Sequence, residues 1–101
     1  KDEEAADELI EEGKAMLDAL GEELEGMTDA PAQRQTLNDT LDGWLKDNSV
    51  KLNELSEAQR DRVEDELADH CGSLHMETSW SLQISNTRQH QWNERQRLLG
   101  N

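Results

Sequence analysis

The chain has 101 residues, with 24 Asp and Glu against 10 Lys and Arg, for a formal net charge of −14. Apolar residues make up 33%, and without Phe or Tyr the aromatic area rests on Trp44, Trp80 and Trp92. This length allows a single domain (1–101) with a modest core. The charge excludes a surface that holds nucleic acid or anionic membrane through Lys and Arg.

The charge is unevenly spread. Residues 1–71 hold 22 acids against 7 bases, a balance of −15, while residues 72–101 hold Glu77 and Glu94 against Arg88, Arg95 and Arg97, a balance of +1. Solubility asks for a net charge of only roughly 2–8. An excess beyond that attracts basic protein surfaces and speeds encounter with them at low salt. Cys71 is the only cysteine, so no intrachain disulfide can form, and a reducing, cytoplasmic compartment is expected. No apolar run approaches the roughly 18–20 residues needed to span a bilayer. The first residue is Lys1 and not Met, so a trimmed or processed N-terminus is expected.

In chain order, residues 2–26 predict a long helix. Leu9, Ile10, Gly13, Met16, Leu17, Leu20, Leu24 and Met27 recur at spacings of three and four, and acidic residues crowd the first turn, where the helix dipole favours them. Gly13 lies on the apolar stripe, where a missing side chain lets another backbone approach. In "TDAPAQ" (28–33), Asp29 is a candidate cap and Pro31 suits a first turn. Leu37, Leu41, Trp44 and Leu45 then mark one face of a second helix ending near Asn48. Residues 47–55 read as a connection held to the core by Val50, Leu52 and Leu55. "SEAQ" (56–59) is a capping box, with Ser56 bonding the third helical amide and Gln59 reaching back. The helix after it carries Val63, Leu67, His70, Cys71 and Leu74 on one face, and Gly72 is its expected left-handed cap.

The last thirty residues allow two readings. Leu74, Met76, Thr78, Trp80, Leu82 and Ile84 alternate with mostly polar residues, which is a strand pattern. Such a strand, near 74–84, would need a partner from another chain, because this chain offers no second strand. Trp80, Ile84, Arg88, Gln91 and Arg95 instead suit a helix, with Ser85 or Asn86 as a cap for residues 85–99. The expected fold is therefore all-α, a small bundle of three to four helices, with the extended segment as the alternative.

"HCGSLH" (70–75) is the stretch that most resembles chemistry. Glu66 and His70 share a helical face, and His75 could join them on one ion if the chain folds back after Gly72. A structural zinc site needs four ligands, usually Cys and His. There is no Cys pair here, and Cys71 points about 100° away from His70 around the helix. A histidine near a helix end, with a small buried Cys beside it, explains the same residues. No metal and no cofactor are expected. No glycine-rich phosphate loop and no nucleophile motif occurs, so no enzyme is expected.

The expected function follows from charge and size. An acidic helical protein could bind and block a basic surface, with carboxylates standing in for the phosphates of nucleic acid, as small inhibitors of phage type do. The candidate partner-binding residues are Glu8, Glu11 and Glu12 on the first helix and Glu57, Asp61, Glu64, Asp65 and Asp69 on the third. Trp80 and Trp92 join them as aromatic anchors. The expected partner is a basic protein, such as a nucleic-acid-binding protein or complex, with no direct contact to nucleic acid or membrane. The alternative is a homodimeric helical interaction or assembly module, with charge serving solubility, since the lean core, the long first helix with Gly13 on its apolar face and the three Trp fit helices shared between protomers.

Overall fold

The computed structural model describes residues 2–100, apart from the side chains of residues 91 and 95. The expectations placed on Lys1 and on the side chains of Gln91 and Arg95 therefore lie outside the described residues. The described chain forms five helices and no strand: α1 (Asp2–Glu25), α2 (Ala30–Asp47), α3 (Ser49–Glu54), α4 (Glu57–Ser73) and α5 (Glu77–Leu98).

α1 buries Ala6, Leu9, Ile10, Gly13, Leu17 and Leu20, and starts with Asp2, Glu3 and Glu4 at the positive end of its dipole. α2 begins where Asp29 accepts the Ala32 amide at 3.3 Å, with Pro31 in its first turn. Gln33 of α2 donates through Nε2 to the Leu24 and Met27 carbonyls at 2.9 and 2.8 Å, which ties the start of α2 to the end of α1 and the turn after it. The expected connection at 47–55 is itself a short helix, α3. It buries Leu52, and Leu55 just after it is buried too, but Val50 is 69% exposed and does not hold it to the core.

The start of α4 differs from the predicted capping box in one partner. Ser56 Oγ accepts the Gln59 amide at 3.3 Å, as expected. The Ser56 amide, however, donates to Asp2 of α1 at 3.0 Å, while the Gln59 side chain accepts from Arg62 at 2.8 Å. At the other end, Gly72 is not the left-handed residue. α4 continues through Ser73, and His75 takes the left-handed conformation, with φ 61°. The Met76 amide bonds the Cys71 carbonyl at 2.8 Å and the His75 amide bonds the Gly72 carbonyl at 3.2 Å. This paired closure is a Schellman motif with histidine where glycine is usual.

α5 runs unbroken from Glu77 to Leu98, so neither the extended segment near 74–84 nor a cap at Ser85 or Asn86 exists. Met76, Trp80 and Gln83 are buried while Leu82 is half exposed, which is helical spacing. Trp80 and Leu82 would face the same side of a strand, but they lie about 200° apart on a helix.

α1 and α4 lie side by side and run the same way. Asp2 meets Ser56, Asp7 meets Arg62 and Asp18 meets His70, so the numbers climb together. Gly13 lies at the middle of this seam. A Cβ added there would stand 2.7 Å from both δ-methyls of Leu67. The space left at Gly13 is thus filled by the Leu67 side chain of the same chain, where the sequence suggested the approach of a backbone. α2 packs on α5, and seams between α1 and α2 and between α4 and α5 complete the bundle. Its core joins Leu9, Leu17, Leu41, Leu45, Leu67 and Trp80 with their neighbours. The bundle measures 47 × 33 × 18 Å.

Candidate protein-binding face

α1 carries eleven Asp and Glu against Lys14, a net −10, and α4 carries six against Arg60 and Arg62, a net −4. Each of these bases is engaged within the fold. Lys14 Nζ lies 3.9 Å from Glu66, Arg62 pairs with Asp7 and lies 3.4 Å from Glu66, and Arg60 donates to Asn53 at 3.2 Å. Hydrogen bonding to Asp7 holds the Arg62 guanidinium above its usual pKa. The bases therefore sit between helices, and the outward faces keep acids.

The predicted site residues divide into three groups. Glu8, Glu11 and Glu12 of α1 and Glu57, Asp65 and Asp69 of α4 are exposed and have no ion-pair partner among the described residues. Asp65 and Asp69 are one turn apart, about 6 Å along the axis. Asp61 and Glu64 face α5 instead, where Arg88 pairs with Glu64 and lies 4.0 Å from Asp61. Trp80 is 2% exposed and belongs to the core, so it presents no surface to a partner. Trp92 is 58% exposed, near Leu98 at 79% and Leu99 at 69%.

The HCGSLH residues have separate roles. His70 Nε2 lies 2.7 Å from Asp18 of α1, and Glu66 is occupied by Arg62 and Lys14. Cys71 is fully buried, and that burial, with Glu77 adding to it, pushes the thiol pKa up to about 12. His75 closes the α4 turn. Among the described residues, no three of His, Cys, Asp and Glu are gathered closely enough to hold a metal ion. No described helix is long and apolar enough to cross a membrane.

The residues that shape this face were not those singled out from the sequence. Lys14, Arg62 and Arg88 decide which acids are neutralised, through pairs up to 55 residues apart. Compared with known families, curated proteins and solved structures, the chain matches none of them. The fold defines it as a small all-α bundle, and the functional argument rests on its surface.

Proposed function

We propose that this chain is an acidic binding protein that lays its α1–α4 ridge on the basic, nucleic-acid-binding surface of a partner protein and keeps nucleic acid off it. The observation that carries the reading is the sorting of charge. Two parallel helices engage their bases within the fold and leave Glu8, Glu11, Glu12, Glu57, Asp65 and Asp69 exposed and without an ion-pair partner among the described residues. α1 is about 36 Å long, so the combined −14 of the two helices amounts to about one net charge per 2.6 Å. Duplex DNA carries one per about 1.7 Å of axis. A groove lined with Lys and Arg would meet a comparable field, held on a scaffold that needs no ordering on binding.

The test is capture with the full chain as bait at low and high salt, followed by affinity measurements on what is retained. Exposed single pairs are worth only about 0–1 kcal/mol, so one substitution does little. A combined Glu11→Lys, Asp65→Lys, Asp69→Lys variant removes no internal pair and keeps its helicity. It loses at least tenfold in affinity at low salt and less at high salt. Reversing Asp61 or Glu64 would be a poorer test, because it also breaks the contact to Arg88. Should Trp92→Ala abolish binding while the triple reversal is tolerated at both salts, an apolar interaction module replaces the acidic ridge.

A further inference from the structure

We propose that the outward face of α5 is a self-association surface, and that its occupant is the same face of a second copy of this chain. Leu82, Ser85, Gln89, Trp92, Gln96 and Leu99 follow one another at spacings of three, four, three, four and three. This alternation is the seam pattern of a coiled coil. The stripe lies about 180° around the helix from buried Trp80 and Gln83, so it faces away from the bundle. Leu82, Trp92 and Leu99 are 50%, 58% and 69% exposed, Ser85 and Gln89 are exposed, and Gln96 is half-buried. α5 therefore carries apolar residues on two opposite faces, and its own bundle covers one of them. None of the six seam residues is charged, although the outward face of a helix is where charge usually collects. Arg88 is turned toward Glu64 and Asp61 of α4, and Glu94 is paired with Arg97.

Three properties of this stripe select a second copy as the occupant. The first is self-complementarity. A glutamine amide both donates and accepts, as does a serine hydroxyl, so the same side chains from another copy can satisfy them, which a charged seam could not do for itself. The second is the placing of charge. Two copies at −14 repel each other, and they meet least repulsion through a neutral face. α1, the most acidic helix, packs on α4 and α2, and α5 packs on the same two helices, so α1 and α5 stand at opposite corners of the bundle. Contact through α5 keeps the two α1 helices apart. The third is area. At their exposures Leu82, Trp92 and Leu99 leave on the order of 300 Å² of apolar surface open per chain. Two copies would cover about 600 Å² of it, with the polar seam residues adding to that. The total falls at or below the roughly 1,200 Å² where stable interfaces begin, so the dimer is weak and reversible, with one twofold axis across the α5 pair.

This inference goes beyond the acidic ridge and needs no partner protein. The experiment is sedimentation of the full chain from about 1 µM to about 1 mM at physiological salt, a range that brackets a weak specific dimer. Two variants carry the argument, Ser85→Glu with Gln89→Glu, and Ser85→Lys with Gln89→Lys. Both positions are exposed, and Gln89 gives up only an exposed bond to Asn93 at 3.1 Å, so thermal melting should find both variants folded. The native chain dimerises with rising concentration. Each variant alone associates at least tenfold more weakly, and the two mixed recover a 1:1 dimer, because opposite charges then meet across the seam. The Lys variant is the sharper arm. Its net charge is −14 + 2 = −12, so general repulsion between copies falls, and any contact elsewhere on the surface would strengthen. A native chain that stays monomeric throughout overturns the proposal. So does a Lys variant that dimerises as well as the native chain, or a mixture of the two variants that stays monomeric. None of these results bears on the ridge, which is tested by salt-sensitive capture of a basic protein.

Discussion

Gly13 allows the packing of α1 on α4 to be tested with a single methyl group. In a helix interior, replacing Gly with Ala stabilises by about 1 kcal/mol through backbone entropy. At Gly13 the new methyl would stand 2.7 Å from both δ-carbons of Leu67 and 3.3 Å from its γ-carbon, and Leu67 is itself fully buried. Overpacking of this kind costs about 1–3 kcal/mol. The sum for Gly13→Ala runs from neutral to about 2 kcal/mol destabilising, and a loss of about 1 kcal/mol lowers the melting temperature of a domain this size by about 4–8 °C.

The sign of one variant is weak evidence, so the measurement is a double-mutant cycle. Leu67→Ala alone costs about 2–5 kcal/mol by opening a cavity. In that background the methyl added by Gly13→Ala meets no crowding, and the substitution regains its full helix propensity. The two substitutions should couple by about 1–3 kcal/mol, each improving the other. Urea unfolding followed by circular dichroism gives all four free energies. If Gly13→Ala stabilises by the same amount with Leu67 present or absent, α1 and α4 do not approach closely at this point, and the parallel seam described above is wrong.

At the α4 turn, Gly72→Ala should stabilise by about 0.5–1 kcal/mol, because Gly72 is exposed and a Cβ there meets nothing within 4 Å. His75→Gly should stabilise by a similar amount, since a left-handed non-glycine residue costs about 1–2 kcal/mol, partly offset by the entropy of glycine in the unfolded chain. A drop in the urea midpoint for either variant would contradict the turn. Burial raises the Cys71 thiol to about 12 from 9.0, so above about pH 9 the unfolded chain loses this proton and the folded chain keeps it. That contribution is fully present below pH 9 and declines by up to about 1.4 kcal/mol per unit as pH rises toward 12. The stability of the native chain relative to Cys71→Ala should fall across that window. A constant difference between the two would mean that the thiol is not shielded.

The helices with clear local punctuation were legible in the sequence. Asp29 and Ser56 mark the starts of α2 and α4 because a capping side chain acts within three residues of its own position. The end of α4 was misread because its choice of left-handed residue depends on tertiary packing. Met76 must reach the core, and this carries the turn past Gly72 to His75. α5 was ambiguous because Met76, Trp80 and Ile84 satisfy both a period of two and a spacing of four. The deciding residue is Gln83, a polar side chain that is 7% exposed and carries no apolar signal. Exposure of the α1 and α4 acids could be read from helical periodicity. Their sorting into paired and unpaired could not, because Asp7–Arg62 and Glu64–Arg88 join positions that only the fold brings together.

Local stability accounts for some of the acidic charge. Asp2, Glu3 and Glu4 sit at the positive end of the α1 dipole, Asp2 also holds Ser56, and Asp7, Asp18 and Glu66 bridge to α4. Much of the rest on α1 and α4 opposes stability. Glu22, Glu23 and Glu25 crowd the negative end of α1, whose last turn has no basic residue. A charge of the wrong sign there costs typically about 0.3–1 kcal/mol. Glu11, Asp65 and Asp69 stand exposed on two adjacent helices that are both net negative, where like charges repel at low salt. Bases at a few of these positions would have relieved the repulsion without touching the core. The acids that stabilise the fold lie at helix starts and in ion pairs such as those along the α1–α4 and α4–α5 seams, and the acids that strain it lie at the end of α1 and on the outward faces. That division is the physical argument for a basic surface outside the chain as the partner of the second set.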